Sequence, residues 1–203
     1  MTAGAPPSAS GTAVEARGLA KRYGDRRVFH DVDVRLESDG FLLVTGPNGS
    51  GKTTLLRVLA GLAAPSAGEL RLPHRSTIGY LGHDPLVYRE LTPLENLTLF
   101  GRLYRVSDRG EGTGMLLERF GLWDVRHERV STFSRGMQQR LGLCRVLLHS
   151  PSLLLLDEPS NALDAAGLEL LDGVLAERSR ASVVATHEPQ RIERYATGRL
   201  AFT

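Results

Sequence analysis

The sequence predicts an α/β fold: a mostly parallel sheet flanked by helices, an N-terminal antiparallel β subdomain and an inserted helical subdomain. Three observations carry that expectation. A glycine-rich loop, Gly46-Pro47-Asn48-Gly49-Ser50-Gly51-Lys52-Thr53-Thr54, joins an apolar run at residues 41–44 to a helix-like run at 55–60. Toward the C-terminus, short apolar runs alternate with helical segments, the pattern of βαβ units. Between these regions, from residue 92 to about 149, apolar residues recur at helical spacing.

Taken in order, residues 14–19 and 28–36 read as β segments, broken by Tyr23-Gly24-Asp25 and by Ser38-Asp39-Gly40. They form a hairpin leading into the first core strand. After the helix that follows the glycine-rich loop, residues 61–68 read as a Pro/Gly/Ala loop and 77–81 as a short strand. The helical region holds Leu94, Leu97, Leu99, Leu103 and Tyr104 early, Met115 to Leu117 and Phe120 midway, and Leu141, Leu143 and Val146 late. Residues 107–114 read as a glycine-rich loop within it. Residues 153–156 are expected to form a buried parallel strand, 168–177 a helix, 182–186 a second buried strand and 188–195 another helix. The division that follows is a tail at 1–13 and one domain at 14–203, with its core at 14–91 and 150–203 and its helical subdomain at about 92–149.

At 203 residues the chain can build one sizeable core and is too short for two full nucleotide-binding units. A mechanism that needs two such units therefore needs a dimer. The formal charge of +2 is small, and the basic residues are spread along the chain as arginine, so charge gives no support for a nucleic-acid partner. No apolar run approaches the roughly 18 residues needed to cross a bilayer. Residues 1–13, rich in Ala, Gly, Ser and Pro, have neither a basic n-region nor an apolar stretch and read as a disordered tail rather than an export signal. With a single cysteine, Cys144, read as a small core residue, disulfides have no role and a cytoplasmic location is expected.

The loop at 46–54 has the G-x-x-x-x-G-K-[ST] spacing of a P-loop, so the fold is expected to contain a P-loop NTPase core. Gly46, Asn48, Gly49, Ser50, Gly51 and Thr54 belong to the loop that wraps a polyphosphate, because glycines let backbone amides approach anionic oxygens. Lys52 is expected to reach the β- and γ-phosphates, and the Thr53 hydroxyl to join a Mg2+ shell. Four leucines run into Asp157-Glu158, placing two carboxylates at the carboxyl end of a buried strand, where an open parallel sheet presents its ligand crevice. Asp157 is expected to hold Mg2+ directly or through water, and Glu158 to polarise the water that attacks the γ-phosphate. His187, after the next apolar strand, emerges on the same edge and can donate a hydrogen bond to the γ-phosphate or to that water. Ser134 caps a helix whose first turn includes the small residue Gly136, a general anion site.

Taken together and in order, the P-loop, Ser134 to Gly136, Asp157-Glu158-Pro159, Asp164 and Thr186-His187 resemble the ATP-binding cassette family of transporter ATPases. The resemblance runs from about residue 14 to residue 203. It implies that Tyr23 stacks on adenine, that Asp164 lies in the dimer-contacting loop, and that Ser134 and Gly136 contact the ATP held by an opposite subunit. The family signature usually reads L-S-G-G-Q; here Phe133, Arg135 and Met137 replace its first, third and fifth positions. Where the family places a glutamine that attends Mg2+ and relays motion to the membrane partner, Tyr80-Leu81-Gly82 leads to His83.

The resemblance implies an ATPase that uses ATP and Mg2+, acts as a homodimer or heterodimer of ATPase subunits, and drives a separate transmembrane permease from the inner face of the cell membrane. Tyr80-Leu81-Gly82-His83, the element from Glu90 to Leu97 and the phrase Ser134 to Arg140 are most similar to the haem-exporter ATPases of cytochrome c maturation. The alternatives are an exporter of drug, lipid or polysaccharide, and a non-transport ATPase that regulates a membrane complex. Soluble members that act on ribosomes or DNA usually carry two cassettes or long coiled-coil inserts, which this sequence does not have.

Overall fold

The computed structural model describes residues 11–106 and 109–202. In chain order the regular elements are β1 (Thr12–Tyr23), β2 (Arg26–Glu37), β3 (Phe41–Thr45), α1 (Lys52–Leu59), β4 (Ala67–Arg71), β5 (Ile78–Leu81), α2 (Pro93–Leu103), α3 (Arg109–Arg119), α4 (Arg135–Leu147), β6 (Leu153–Asp157), α5 (Ala165–Ala176), β7 (Ala181–Ala185) and β8 (Gly198–Ala201).

β1 and β2 form the antiparallel hairpin expected from the sequence. Residues 1–10 of the expected tail lie outside the described residues, while Thr12 and Ala13 belong to β1, where Thr12 pairs with Glu37. β4 adds to the other side of β1 and completes a three-stranded sheet in the order β2-β1-β4. Sequence reading places a loop as far as Gly68 and gives no strand between it and residue 77. Four of the five β4 residues are exposed, so backbone pairing with β1, rather than a burial pattern, makes this segment a strand.

The second sheet runs β5-β6-β7-β3-β8, and every neighbouring pair is parallel. Its side chains alternate between two cores. Leu154 and Leu156 of β6, with Phe41 and Leu43 of β3, face the core shared with α4, α5 and the helical layer. Leu153 and Leu155, with Leu42 and Val44, face α1 and the antiparallel sheet. A strand covered on both faces must be apolar at every position, which explains the unbroken run of four leucines.

The helical layer holds α2, α3 and α4. Thr92 opens α2 with a capping box: its hydroxyl accepts from the Glu95 amide and the Glu95 carboxylate accepts from the Thr92 amide, with Pro93 in the first turn. The glycine-rich segment expected as a loop at 107–114 is helical from Arg109 onward, and Ser107 and Asp108 lie outside the described residues. Each internal glycine costs a helix about 1 kcal/mol relative to alanine. Full burial of Leu117 and Phe120 contributes about 1.5–3 kcal/mol per side chain and offsets that cost. The helix expected over 188–195 is instead two 3-10 turns, Pro189–Arg191 and Glu193–Tyr195. Eight residues are too few to sustain an isolated helix, and of them only Ile192 is buried, so little packing holds a longer one in place.

Candidate active site

Parallel pairing puts the carboxyl ends of three strands at one level. Val44 and Asp157 are both in register with Ala185. The glycine-rich loop follows β3, Glu158 follows β6, and Thr186-His187 follow β7. Sheet order β6-β7-β3 puts the β7 end, which carries His187, between the glycine-rich loop and the β6 end that carries Glu158.

Two glycines give the loop its shape. Gly46 has φ 143°, and a Cβ there would meet the Phe202 carbonyl oxygen at 2.6 Å and Ser50 Oγ at 2.8 Å. Gly51 has φ 112° and precedes α1 without any side-chain cap. The first amides of α1 have no partner within the helix and sit at its positive end, so they suit anionic oxygens. Lys52 is 6% exposed; its Nζ donates to the Gly46 carbonyl at 2.7 Å and to the Pro47 carbonyl at 3.0 Å. That leaves one ammonium proton for a ligand.

Asp157 is 2% exposed, and its Oδ2 is buried with no hydrogen-bond partner among the described residues. Burial raises its pKa above the ordinary carboxylate value; the Thr53 hydrogen bond opposes this, the Glu158 charge adds to it, and His83 and Lys52 counter it. An orphaned carboxylate oxygen beside a threonine hydroxyl fits a hard cation. Among the described residues no cluster of three or more His, Cys, Asp or Glu could enclose a metal by itself. A cation here must therefore take its remaining ligands from phosphate and water, the habit of Mg2+.

Glu158 adopts φ 51°, unusual for a side-chain-bearing residue, and its amide donates to the Ala185 carbonyl at 2.8 Å. Its Oε2 accepts from the Thr186 hydroxyl at 3.1 Å and lies 2.9 Å from His187 Nδ1. The hydrogen bond to Glu158, then its charge, raise the His187 pKa above the ordinary imidazole value.

These groups line one cavity of ≈ 590 Å³, within the range of small-molecule sites. Its walls bring together Tyr23, Asn48, Gly49, Gly51, Lys52, Thr53, Thr54, His83, Asp157, Glu158 and His187. Gly46 and Ser50 shape the loop without lining the cavity. Ser134 and Gly136 do not line it either. Ser134 caps α4 by accepting from the Met137 amide at 3.2 Å, and Gly136 packs so closely that a Cβ would meet the Ala162 carbonyl oxygen at 2.7 Å. Asp164 caps α5 and pairs with Arg140 of α4.

Sequence reasoning missed Arg26, Val28 and Asn161, which also line the cavity. Arg26 and Val28 share one strand face at a spacing of two, a signal that exists but means nothing until the hairpin is placed beside the loop.

Residues 29–161 match the family model described as ABC transporter. The cytochrome c biogenesis ATP-binding export protein CcmA of Rhizobium meliloti (strain 1021) is 40% identical over 187 residues, covering 86% of this chain and 90% of that protein. The daunorubicin resistance ATP-binding protein DrrA3 of Streptomyces coeruleorubidus is 39% identical over 176 residues, which are 80% of this chain and 56% of that longer protein. Among solved structures, the dimeric post-hydrolysis state of the ATP-binding cassette MJ0796 bound to ADP and Pi superposes with a TM-score of 0.82 at 25% identity, covering 94% of both chains.

Proposed function

The chain belongs to the ABC transporter family as an ATP-binding subunit and an ATPase, and from that premise we propose that it powers export through a separate membrane permease, in haem export for cytochrome c maturation. The observation that carries the haem reading is coverage: the likeness to CcmA spans 90% of that protein, whereas the likeness to DrrA3 spans 56%. Drug export is the second reading, supported by the near-equal identity to DrrA3.

In this reading Tyr23, half exposed at the end of β1, stacks on adenine, and the loop Gly46 to Thr54 with the α1 amides cradles the phosphates. Lys52 turns its remaining proton to the β- and γ-phosphates. Thr53 and Asp157 hold Mg2+, with His83 attending. The ion, when bound, neutralises charge on the phosphates. Glu158 orients the attacking water, and its bonds to Thr186 and His187 fix the direction in which its carboxylate points. His187 supplies a positive hydrogen-bond donor to charge that develops on the transferred phosphoryl group.

Ser134 and Gly136 are left to complete the site of a second subunit, so the working form is a dimer of ATPase subunits, identical or not. Among the described residues no helix is long and apolar enough to cross a membrane. The chain then sits at the inner face of the membrane and docks its permease around residues 83–97, where Leu86 and Tyr88 are exposed. Gentle detergent purification of the tagged chain, with mass spectrometry of what accompanies it, tests the assignment. A permease of cytochrome maturation supports haem export, another permease replaces the cargo, and no membrane protein at all overturns the transport reading.

A further inference from the structure

Arg145 of α4 is 5% exposed, and among the described residues no carboxylate pairs with it. A buried guanidinium without an anion has to place its donors on neutral acceptors. Its Nε donates to the Pro85 carbonyl, its Nη2 to the Tyr80 carbonyl and its Nη1 to the Tyr104 hydroxyl, each at 3.1 Å. The guanidinium also lies 5.3 Å from the centre of the Phe100 ring.

Those acceptors have a spatial meaning. Tyr80 and Pro85 flank the short stretch that carries His83, which is on the cavity wall and within electrostatic reach of Asp157. Phe100 lies in α2, and Tyr104 closes its C-terminus. α4 itself runs against the same stretch, since a Cβ on Gly142 would meet Pro85 Cβ at 2.7 Å and Leu81 Cδ1 at 3.0 Å. Ser134, at the other end of α4, lies about 16 Å away along the helix axis at 1.5 Å per residue. One helix thus has the capping serine at its start and, near its end, an arginine bonded twice to the His83 stretch and once to the end of α2.

We propose that Arg145 is a positioning residue that sets His83 against the Asp157 carboxylate by locking its stretch to α2 and α4. The proposal rests on the reading of His83 as a site residue. A planar fork with five donors can hold three acceptors in fixed directions; a lysine ammonium keeps the charge and loses that geometry.

The test is steady-state ATP hydrolysis by the full chain carrying Arg145→Lys, Tyr104→Phe or His83→Ala, and each of the first two combined with His83→Ala, with thermal unfolding recorded beside it. Arg145→Lys is expected to lower kcat about tenfold with KM for ATP nearly unchanged, the order expected from losing a hydrogen bond to a charged group. Tyr104→Phe lowers kcat by a smaller factor in the same direction. In the His83→Ala background both effects vanish, because the residue they position is gone. Full multiplication of the effects in the double variants overturns the proposal, as does a loss of thermal stability with kcat unchanged. If His83→Ala leaves kcat intact while Arg145→Lys still lowers it, the site reading of His83 fails and the proposal falls with it. Should Arg145→Lys not fold, Tyr104→Phe, which deletes one oxygen, decides by the same comparison.

Discussion

Glu158 and His187 are joined directly: Oε2 of the carboxylate lies 2.9 Å from Nδ1 of the imidazole, at the ends of two neighbouring parallel strands. The same oxygen accepts from the Thr186 hydroxyl. The carboxylate proposed to orient water is therefore held from two sides by residues of the next strand end, and it raises the proton affinity of the imidazole beside it.

That pairing has a sign. Glu158 raises the His187 pKa above the usual value of about 6.5. A raised folded-state value means that the pair's contribution is complete below the unfolded pKa and is lost as pH rises through the folded one. An NMR titration of the His187 ring protons is expected to show a midpoint above that of a free histidine, falling back in Glu158→Gln. A midpoint indifferent to that substitution removes the pairing in solution.

Glu158→Gln is also expected to keep ATP binding, trap a dimer visible by size-exclusion chromatography in ATP, and lower hydrolysis by about 10²–10⁴-fold, the usual worth of a general acid–base group. Turnover at the wild-type rate sinks the role assigned to Glu158.

Asp157→Asn separates stability from activity. Burial raises the Asp157 pKa, so the folded state disfavours its charge at neutral pH. Without nucleotide, the asparagine variant should unfold at a higher temperature near pH 7, with the difference shrinking as pH falls and Asp157 takes up its proton. Mg2+-dependent hydrolysis should be lost at the same time. Equal melting temperatures at every pH contradict the electrostatic account.

Gly136→Ala and Gly112→Ala should move stability in opposite directions. The first drives a Cβ into the Ala162 carbonyl oxygen at 2.7 Å. Overpacking of that kind costs about 1–3 kcal/mol. The second adds a methyl group where nothing lies within 4 Å, inside α3. It should gain up to about 1 kcal/mol from helix propensity. Urea unfolding of both variants reads the two signs.

The groups with chemistry were legible because each is announced locally. Glycine spacing marks the phosphate loop, four leucines mark a strand buried on both faces, and the carboxylates and His187 stand at strand ends. What was not legible depends on partners far away in sequence. β4 and β8 are strands through backbone pairing with β1 and β3, and neither has a burial pattern strong enough to name it. α3 begins within glycines that favour coil, because Leu117 and Phe120 have a core to enter. Arg145 reads in sequence as one more basic residue of a helix, and its environment becomes visible only when Tyr80, Pro85 and Tyr104 close around it.

By itself, then, the sequence determined the fold class and named the candidate groups that the cavity brings together, since those follow from spacing and side-chain chemistry along short stretches. Only the tertiary structure decided which of them touch: that Glu158 shares its oxygen with Thr186 and His187, that one Asp157 oxygen has no hydrogen-bond partner among the described residues, and that Ser134 and Gly136 lie off the cavity. Contact depends on strand order and register. Those are set by burying two cores at once, a condition that no short stretch of chain can satisfy alone.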